Sequence, residues 1–328
     1  MILAGDIGGT KASLGLFVRN GTALRAVLQR RLVTRDYPGF PELIEAFLQQ
    51  AAGENLKRSS IDAAGFGVAG VVTGGRHYTE NLPWVVDVSA LGANLELKHV
   101  QLLNDLAATA LSLDHLPASD LVVLNSGTAV LQGTRGVIAA GTGLGEALLF
   151  WNGKKYEVAP AEGGQADFAP RTDREIKLLS HLRQSLSHVS NEEIVSGRGF
   201  LRIHEFLDPA VRHDSFEAPE GNAASEITQR GTAKSCDVCV ETLGFWTEIY
   251  AGVIGNFAMQ TMPLAGVFIG GGIAVKILPK LRESSFFQSF CGAGKLAQVM
   301  ASVPISVIVN EDAPMLGAAY EALSQIEA

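Results

Sequence analysis

Two stretches of this chain share one grammar: an apolar run, a turn built on glycine, and a second apolar run. In the first, Ile2-Leu3-Ala4 leads into Asp6-Ile7-Gly8-Gly9-Thr10-Lys11, and Ala12, Leu14, Leu16 and Val18 alternate on the way out. In the second, Val137-Ile138-Ala139-Ala140 leads into Gly141-Thr142-Gly143-Leu144-Gly145 and out through Ala147-Leu148-Leu149-Phe150. Each pattern predicts strand, tight turn, strand. Recurrence of the unit about 135 residues later predicts two related α/β domains facing each other. The length of 328 residues, too great for one typical core, agrees.

The tips of these hairpins suit phosphate. Glycine lets backbone N–H groups come close to phosphate oxygens, and Thr10 adds a hydroxyl donor. Asp6, just ahead of the first tip, can hold Mg²⁺ directly or through water. An ordinary hairpin turn would explain either tip alone. A third cluster, Gly270-Gly271-Gly272, follows the apolar run Gly266 to Ile269 and opens an amphipathic segment, Ile273 to Arg282. Backbone approach at a helix start suits a nucleotide. Gly65-Phe66-Gly67-Val68-Ala69-Gly70 matches the dinucleotide pattern formally, but it sits inside a strand-like run, Ile61 to Val72, and leads to another turn. No Walker loop occurs.

Composition narrows the function classes. Hydrophobic residues make up 47% and charged residues 18%, which describes a well-packed globular chain. A net charge of −8 without basic blocks argues against nucleic acid and acidic membrane surfaces. No apolar run reaches the roughly 20 residues of a membrane span, and no signal peptide is visible, so the cytoplasm is the expected location. Three cysteines do not make a disulfide framework. Cys236 and Cys239 have the spacing of half a zinc site, but a second cysteine pair is missing. Leu243, Trp246, Ile249, Tyr250 and Val253 continue at helical spacing, so both cysteines read as small packing residues.

Between the hairpins the chain alternates. Leu28 to Thr34 predicts a strand, and Phe40, Leu43, Ile44, Phe47 and Leu48 form a helical stripe entered past Pro41. Val100 to Leu103 predicts a strand and Leu106 to Leu113 a helix; near the end, Pro304 to Val309 predicts a strand and 315–326 a closing helix. Asn104-Asp105 joins a strand to a helix, where Asp105 is either an N-cap or a general base at the carboxyl end of a strand. Glu162-Gly163-Gly164-Gln165 resembles a polar pocket for a hydroxylated ligand. Ser190-Asn191-Glu192-Glu193 also serves as an acidic helix start, and Asn81-Leu82-Pro83-Trp84 as a rigid turn.

Together these motifs, in this order, resemble the bacterial glucokinases, in the branch without zinc of the actin–hexokinase superfamily. The resemblance runs from residue 2 to the closing helix. It implies an α/β chain of two ribonuclease H-like domains flanking a sugar cleft, with 1–110 plus 313–328 as the small domain and 111–312 as the large one. It implies ATP-dependent phosphorylation of glucose with Mg²⁺, and a homodimer. Asn104, Asp105, Glu162 and Glu192 would then meet glucose hydroxyls, with Asp105 as base. Gly8, Gly9, Thr10, Gly141, Thr142 and Gly143 would face phosphates, Gly271 and Gly272 the adenosine, and Asp6 the Mg²⁺. Gln165 stands where the family pattern has His, and its carboxamide can still meet a sugar hydroxyl. The rivals are another small-molecule kinase of the superfamily, such as an acetate kinase, and a non-catalytic actin-like ATPase or sugar sensor. Carboxylates lining an acceptor pocket would repel acetate.

Overall fold

A computed structural model describes residues 1–78, 82, 84–217, 222–292 and 294–327. The chain divides into two units, one of Met1–Asp120, Lys154–Pro160 and Asn310–Ala328, the other of Leu121–Gly153 and Ala161–Val309.

The first sheet starts as the opening pattern requires. β1 (Ile2–Ile7), β2 (Lys11–Asn20) and β3 (Ala23–Val33) form an antiparallel meander, and β4 (Ala63–Val68) lies parallel to β1. β5 (Val71–Thr73) and β6 (Arg76–Tyr78) form a separate ribbon, and β7 (His99–Asn104) lies parallel to β4, giving the order β3-β2-β1-β4-β7. Burial explains that order. β4 is buried at every position and β1 nearly so, as central strands of a covered sheet are, whereas β3 alternates at the edge. The run Ile61 to Val72 is not one strand, because the chain turns at Gly70 with φ +119. Helix Phe40–Gly53 buries its stripe of Phe40, Leu43, Ile44, Phe47 and Leu48, with Pro41 in its first turn.

Within the dinucleotide-like match, Gly65 serves packing. A Cβ on Gly65 would lie 2.1 Å from the Ala318 carbonyl of the closing helix, Ala313–Glu327. A Cβ on Gly317 would lie 1.8 Å from the Ala108 carbonyl of helix Asp105–Ser112. The closing helix therefore beds into both β4 and the helix that carries Asp105.

The second sheet repeats the plan. Its strands are β8 (Leu121–Asn125), β9 (Arg135–Ala140), β10 (Leu144–Trp151), β11 (Tyr156–Ala161), β12 (Gly266–Gly270) and β13 (Ile305–Ile308), in the order β11-β10-β9-β12-β13-β8. β9 and β10 are the antiparallel glycine hairpin, β12 runs parallel to β9 and β13 to β12, and β8 is an antiparallel edge. The order β3-β2-β1-β4-β7 is thus repeated by β11-β10-β9-β12-β13. Helix Asp237–Thr261 shares the core of this unit and is apolar nearly all round, with Trp246 and Tyr250 fully buried. The expected helix from Ile273 to Arg282 is instead two short ones, Gly272–Lys276 and Leu278–Leu281. Pro279 lacks the N–H that would carry one helix through.

Candidate functional site

In the first unit, strand register brings the acids together. Asp6 pairs with Gly67 across β1 and β4, and Asn104 pairs with Val68 across β4 and β7, so Asp6 and Asn104-Asp105 share the carboxyl edge of three parallel strands. The first glycine turn is closed by the Gly8 N–H donating to the Lys11 carbonyl at 3.0 Å. Buried Thr34 anchors it: its Oγ1 donates to the Gly8 carbonyl at 2.7 Å and its N–H to the Thr10 carbonyl at 3.0 Å. Thr10 itself is exposed.

The capping question at Asn104-Asp105 has a clear answer. Asn104 has extended backbone (φ −62, ψ 145), and its Oδ1 accepts from the N–H groups of Leu106 and Ala107 at 2.9 and 3.1 Å. Its Nδ2 donates to the Gly70 carbonyl at 3.1 Å. Asp105 is therefore the first helical residue and not the cap, its Oδ1 accepting from the adjacent Leu106 N–H at 2.9 Å.

A third acid, absent from the sequence motifs, joins the first unit's site. Asp312 lies just ahead of the closing helix, with Arg31 Nη2 and Gln29 Nε2 at 3.5 and 3.3 Å from its oxygens. Burial first, then the charges of Asp105 and Asp312, push the Asp6 carboxyl up to about 7. Excess negative charge among hard oxygen donors is the environment a divalent cation such as Mg²⁺ relieves. The residues fit that ion.

In the second unit, the tip Gly141–Gly143 is narrower, three residues between paired Ala140 and Leu144, and the Gly141 N–H donates to the Gly143 carbonyl at 2.8 Å. Glu192 sits directly on it. Its Oε2 accepts from the Leu144 N–H at 3.0 Å, and a Cβ on Gly143 would lie 2.5 Å from that oxygen. Arg198 Nη2 donates to Glu192 Oε1 at 3.2 Å, and the Gly197 N–H donates to the Gly141 carbonyl at 2.9 Å. Gly271 follows β12 on the same sheet edge with φ +87, and a Cβ there would lie 2.5 Å from the Ala140 carbonyl. Thr142, Gly271 and Gly272 are exposed.

The loop with Glu162 and Gln165 is pinned to the segment with Glu192. The Asn191 N–H donates to the Ala166 carbonyl at 2.9 Å, and its Nδ2 to the Gly163 carbonyl at 3.3 Å. Burial, then the Glu192 charge, raises the Glu162 carboxyl above the usual range. Gln165 is exposed beside it, its N–H donating to the Glu162 carbonyl at 3.0 Å. Beneath this loop lies Glu146 of β10, buried and pushed by desolvation up to about 7. Its Oε2 stands 1.9 Å from where a Cβ on Gly163 would be. The apolar pattern of β10 does not single out Glu146; its being the one acid in that strand is the only signal the sequence carries. Of Asn81–Trp84, Asn81 and Pro83 lie outside the described residues, while Trp84 Nε1 donates to the Tyr37 carbonyl at 3.2 Å.

In each unit a glycine turn stands at the carboxyl edge of its sheet with carboxylates beside it, an arrangement that can hold phosphate or a hydroxylated ligand. The glucokinase family profile matches residues 3–325. The chain belongs to the glucokinase family. It is accordingly a hexokinase-type phosphotransferase, catalysing ATP-dependent phosphorylation of glucose. A glucokinase of a Nostoc species is 32% identical over 338 residues, covering 97% of this chain and 98% of that one. A Klebsiella pneumoniae glucokinase is 30% identical over 316 residues, covering 96% and 94%. Among solved structures, the glucokinase of an Antarctic psychrotroph superposes with a TM-score of 0.84 at 27% identity, covering 98% of each chain. A ROK family glucokinase from Streptomyces griseus, solved with glucose and AMPPNP, gives 0.67 at 21% identity, covering 98% and 99%, a likeness of fold. No helix among the described residues is long and apolar enough to cross a membrane.

Proposed function

We propose that Asp105 is the general base of this glucokinase-family chain, taking the proton of the attacking glucose hydroxyl as the phosphoryl group passes in line from ATP. The observation that carries the reading is the division of labour at the start of helix Asp105–Ser112: Asn104 caps, so the cap does not account for an acid at 105. In the same reading Asn104, Glu162, Gln165 and Glu192 hold sugar hydroxyls. Backbone at Gly8, Gly9, Thr10, Gly141, Thr142 and Gly143 holds phosphates, and Gly271 and Gly272 approach the adenosine. Mg²⁺ would be held by Asp6, with Asp312 adding charge; when bound it neutralises the phosphates. Glu192, already bonded to Leu144 N–H, also sets the shape of the second tip. A cytoplasmic homodimer completes the reading, the first part because ATP is the co-substrate.

The test is Asp105→Asn, which keeps the size and an acceptor for the Leu106 N–H. Glucose-dependent ADP release should fall in kcat by about 10²- to 10⁴-fold, the range for loss of a general base. Normal folding by circular dichroism with near wild-type turnover would refute the assignment.

A further inference from the structure

Away from both glycine turns, four side chains that bind soft metals converge in the second unit. His204 lies in the last turn of helix Gly197–Leu207, and His213 in the loop that follows. Cys236 occupies the N-cap of helix Asp237–Thr261, and Cys239 lies in its first turn. Their ligating atoms, two imidazole nitrogens and two sulfurs, all lie within 4.8 Å of one another. Cys239 Sγ is 3.3 Å from His213 Nε2. Around tetrahedral zinc, with usual bond lengths, ligand atoms stand roughly 3.3–3.8 Å apart. Small side-chain adjustments would close the four on one ion.

A second observation is independent of that clustering. His204 is completely buried, and neither of its ring nitrogens has a hydrogen-bond partner among the described residues. Its ring meets Phe216 edge-on at 4.9 Å and His213 at 5.8 Å between centroids. Buried polar atoms are nearly always paired, and a site that asked only for packing would take an apolar ring. An ion supplies the missing partner for one of these nitrogens.

We propose that His204, His213, Cys236 and Cys239 form a structural zinc site. Two thiolates and two imidazoles select zinc over Mg²⁺, which takes oxygen ligands. Two thiolates also balance the ion's double positive charge, which suits a buried position. Four protein ligands leave no position for substrate, so the ion's task is mechanical. It ties the loop after Leu207 to the start of the long helix. The helix it holds at His204 begins at Gly197, whose N–H bonds the second glycine turn. The packing role expected for the two cysteines gives way to half of a Cys₂His₂ set, whose other half is histidine from a preceding helix and loop.

The test uses the full chain, purified without an affinity tag or chelator. Elemental analysis should find about one zinc per chain, or the protein should take up one equivalent in competition with a chromophoric chelator. Cobalt in its place should give the absorption of a thiolate-ligated tetrahedral ion, lost in Cys236→Ser and Cys239→Ser. His204→Phe, which fills the same apolar volume, should keep the circular dichroism spectrum while losing the metal. Strong chelators should lower the melting temperature of the wild type and leave that of the variants unmoved. Absence of zinc together with failure to bind added zinc overturns the proposal, whether the cysteines then titrate as thiols or as a disulfide. Undiminished binding by the Cys236→Ser/Cys239→Ser double variant overturns it equally.

Discussion

Glu146 shows how one buried carboxyl makes stability depend on pH. Its ordinary value is 4.5, and burial under the Glu162 loop takes it up to about 7. The folded state therefore binds more protons than the unfolded state between those values, and stability falls as pH rises through that window. Glu146→Gln keeps the shape beneath Gly163 and removes the ionisation. The variant should match the wild type near pH 4.5 and exceed it at pH 7.5 by on the order of 1–3 kcal/mol, read from urea midpoints at both pH values. Equal pH profiles would show that Glu146 is not a buried titrating group. Asp6 titrates in the same direction, through burial first and then the charges of Asp105 and Asp312, but bound Mg²⁺ would hold it ionised. Sequence separated these residues unevenly. Asp6 was legible from its place before a glycine turn, whereas at Asn104-Asp105 two adjacent residues can both cap a helix. Backbone dihedrals, which sequence does not carry, chose Asn104.

Helix docking sets where the Asp105 helix stands. The closing helix meets helix Asp105–Ser112 and β4 at Gly317 and Gly65, each facing a backbone carbonyl too near for any Cβ. Backbone cannot yield as a side-chain tip can. Gly317→Ala should destabilise the chain by about 1–3 kcal/mol, as overpacking does, and lower kcat by shifting Asp105. Gly53→Ala, at a helix end with nothing within 4 Å of the new Cβ, is the control and should be neutral or slightly stabilising. Similar thermal midpoints for the two variants would refute this account. The glycines were visible in sequence, but their purpose was not, because the carbonyl facing Gly65 lies more than two hundred residues away at Ala318. The split of the expected helix at Pro279 is a local effect that helical periodicity concealed.

At the scale of the whole molecule, glucose held by the folded chain and not by the unfolded one should raise the thermal midpoint, adding about 2.7 kcal/mol of stability at one hundred times Kd. An unmoved midpoint, with glucose still turned over, would rule that out. The repeated hairpin grammar by itself determined the class of fold and the position of both glycine turns, because strand alternation and glycine's freedom are written residue by residue. The order of motifs along the chain likewise determined the family. Tertiary structure alone decided what needs distant residues to meet: Asp312 beside Asp6, Glu192 against the second tip, Glu146 beneath Gly163, and two histidines beside Cys236 and Cys239. Charge repulsion, desolvation and metal ligation depend on distance in space, and separation along a chain does not report it.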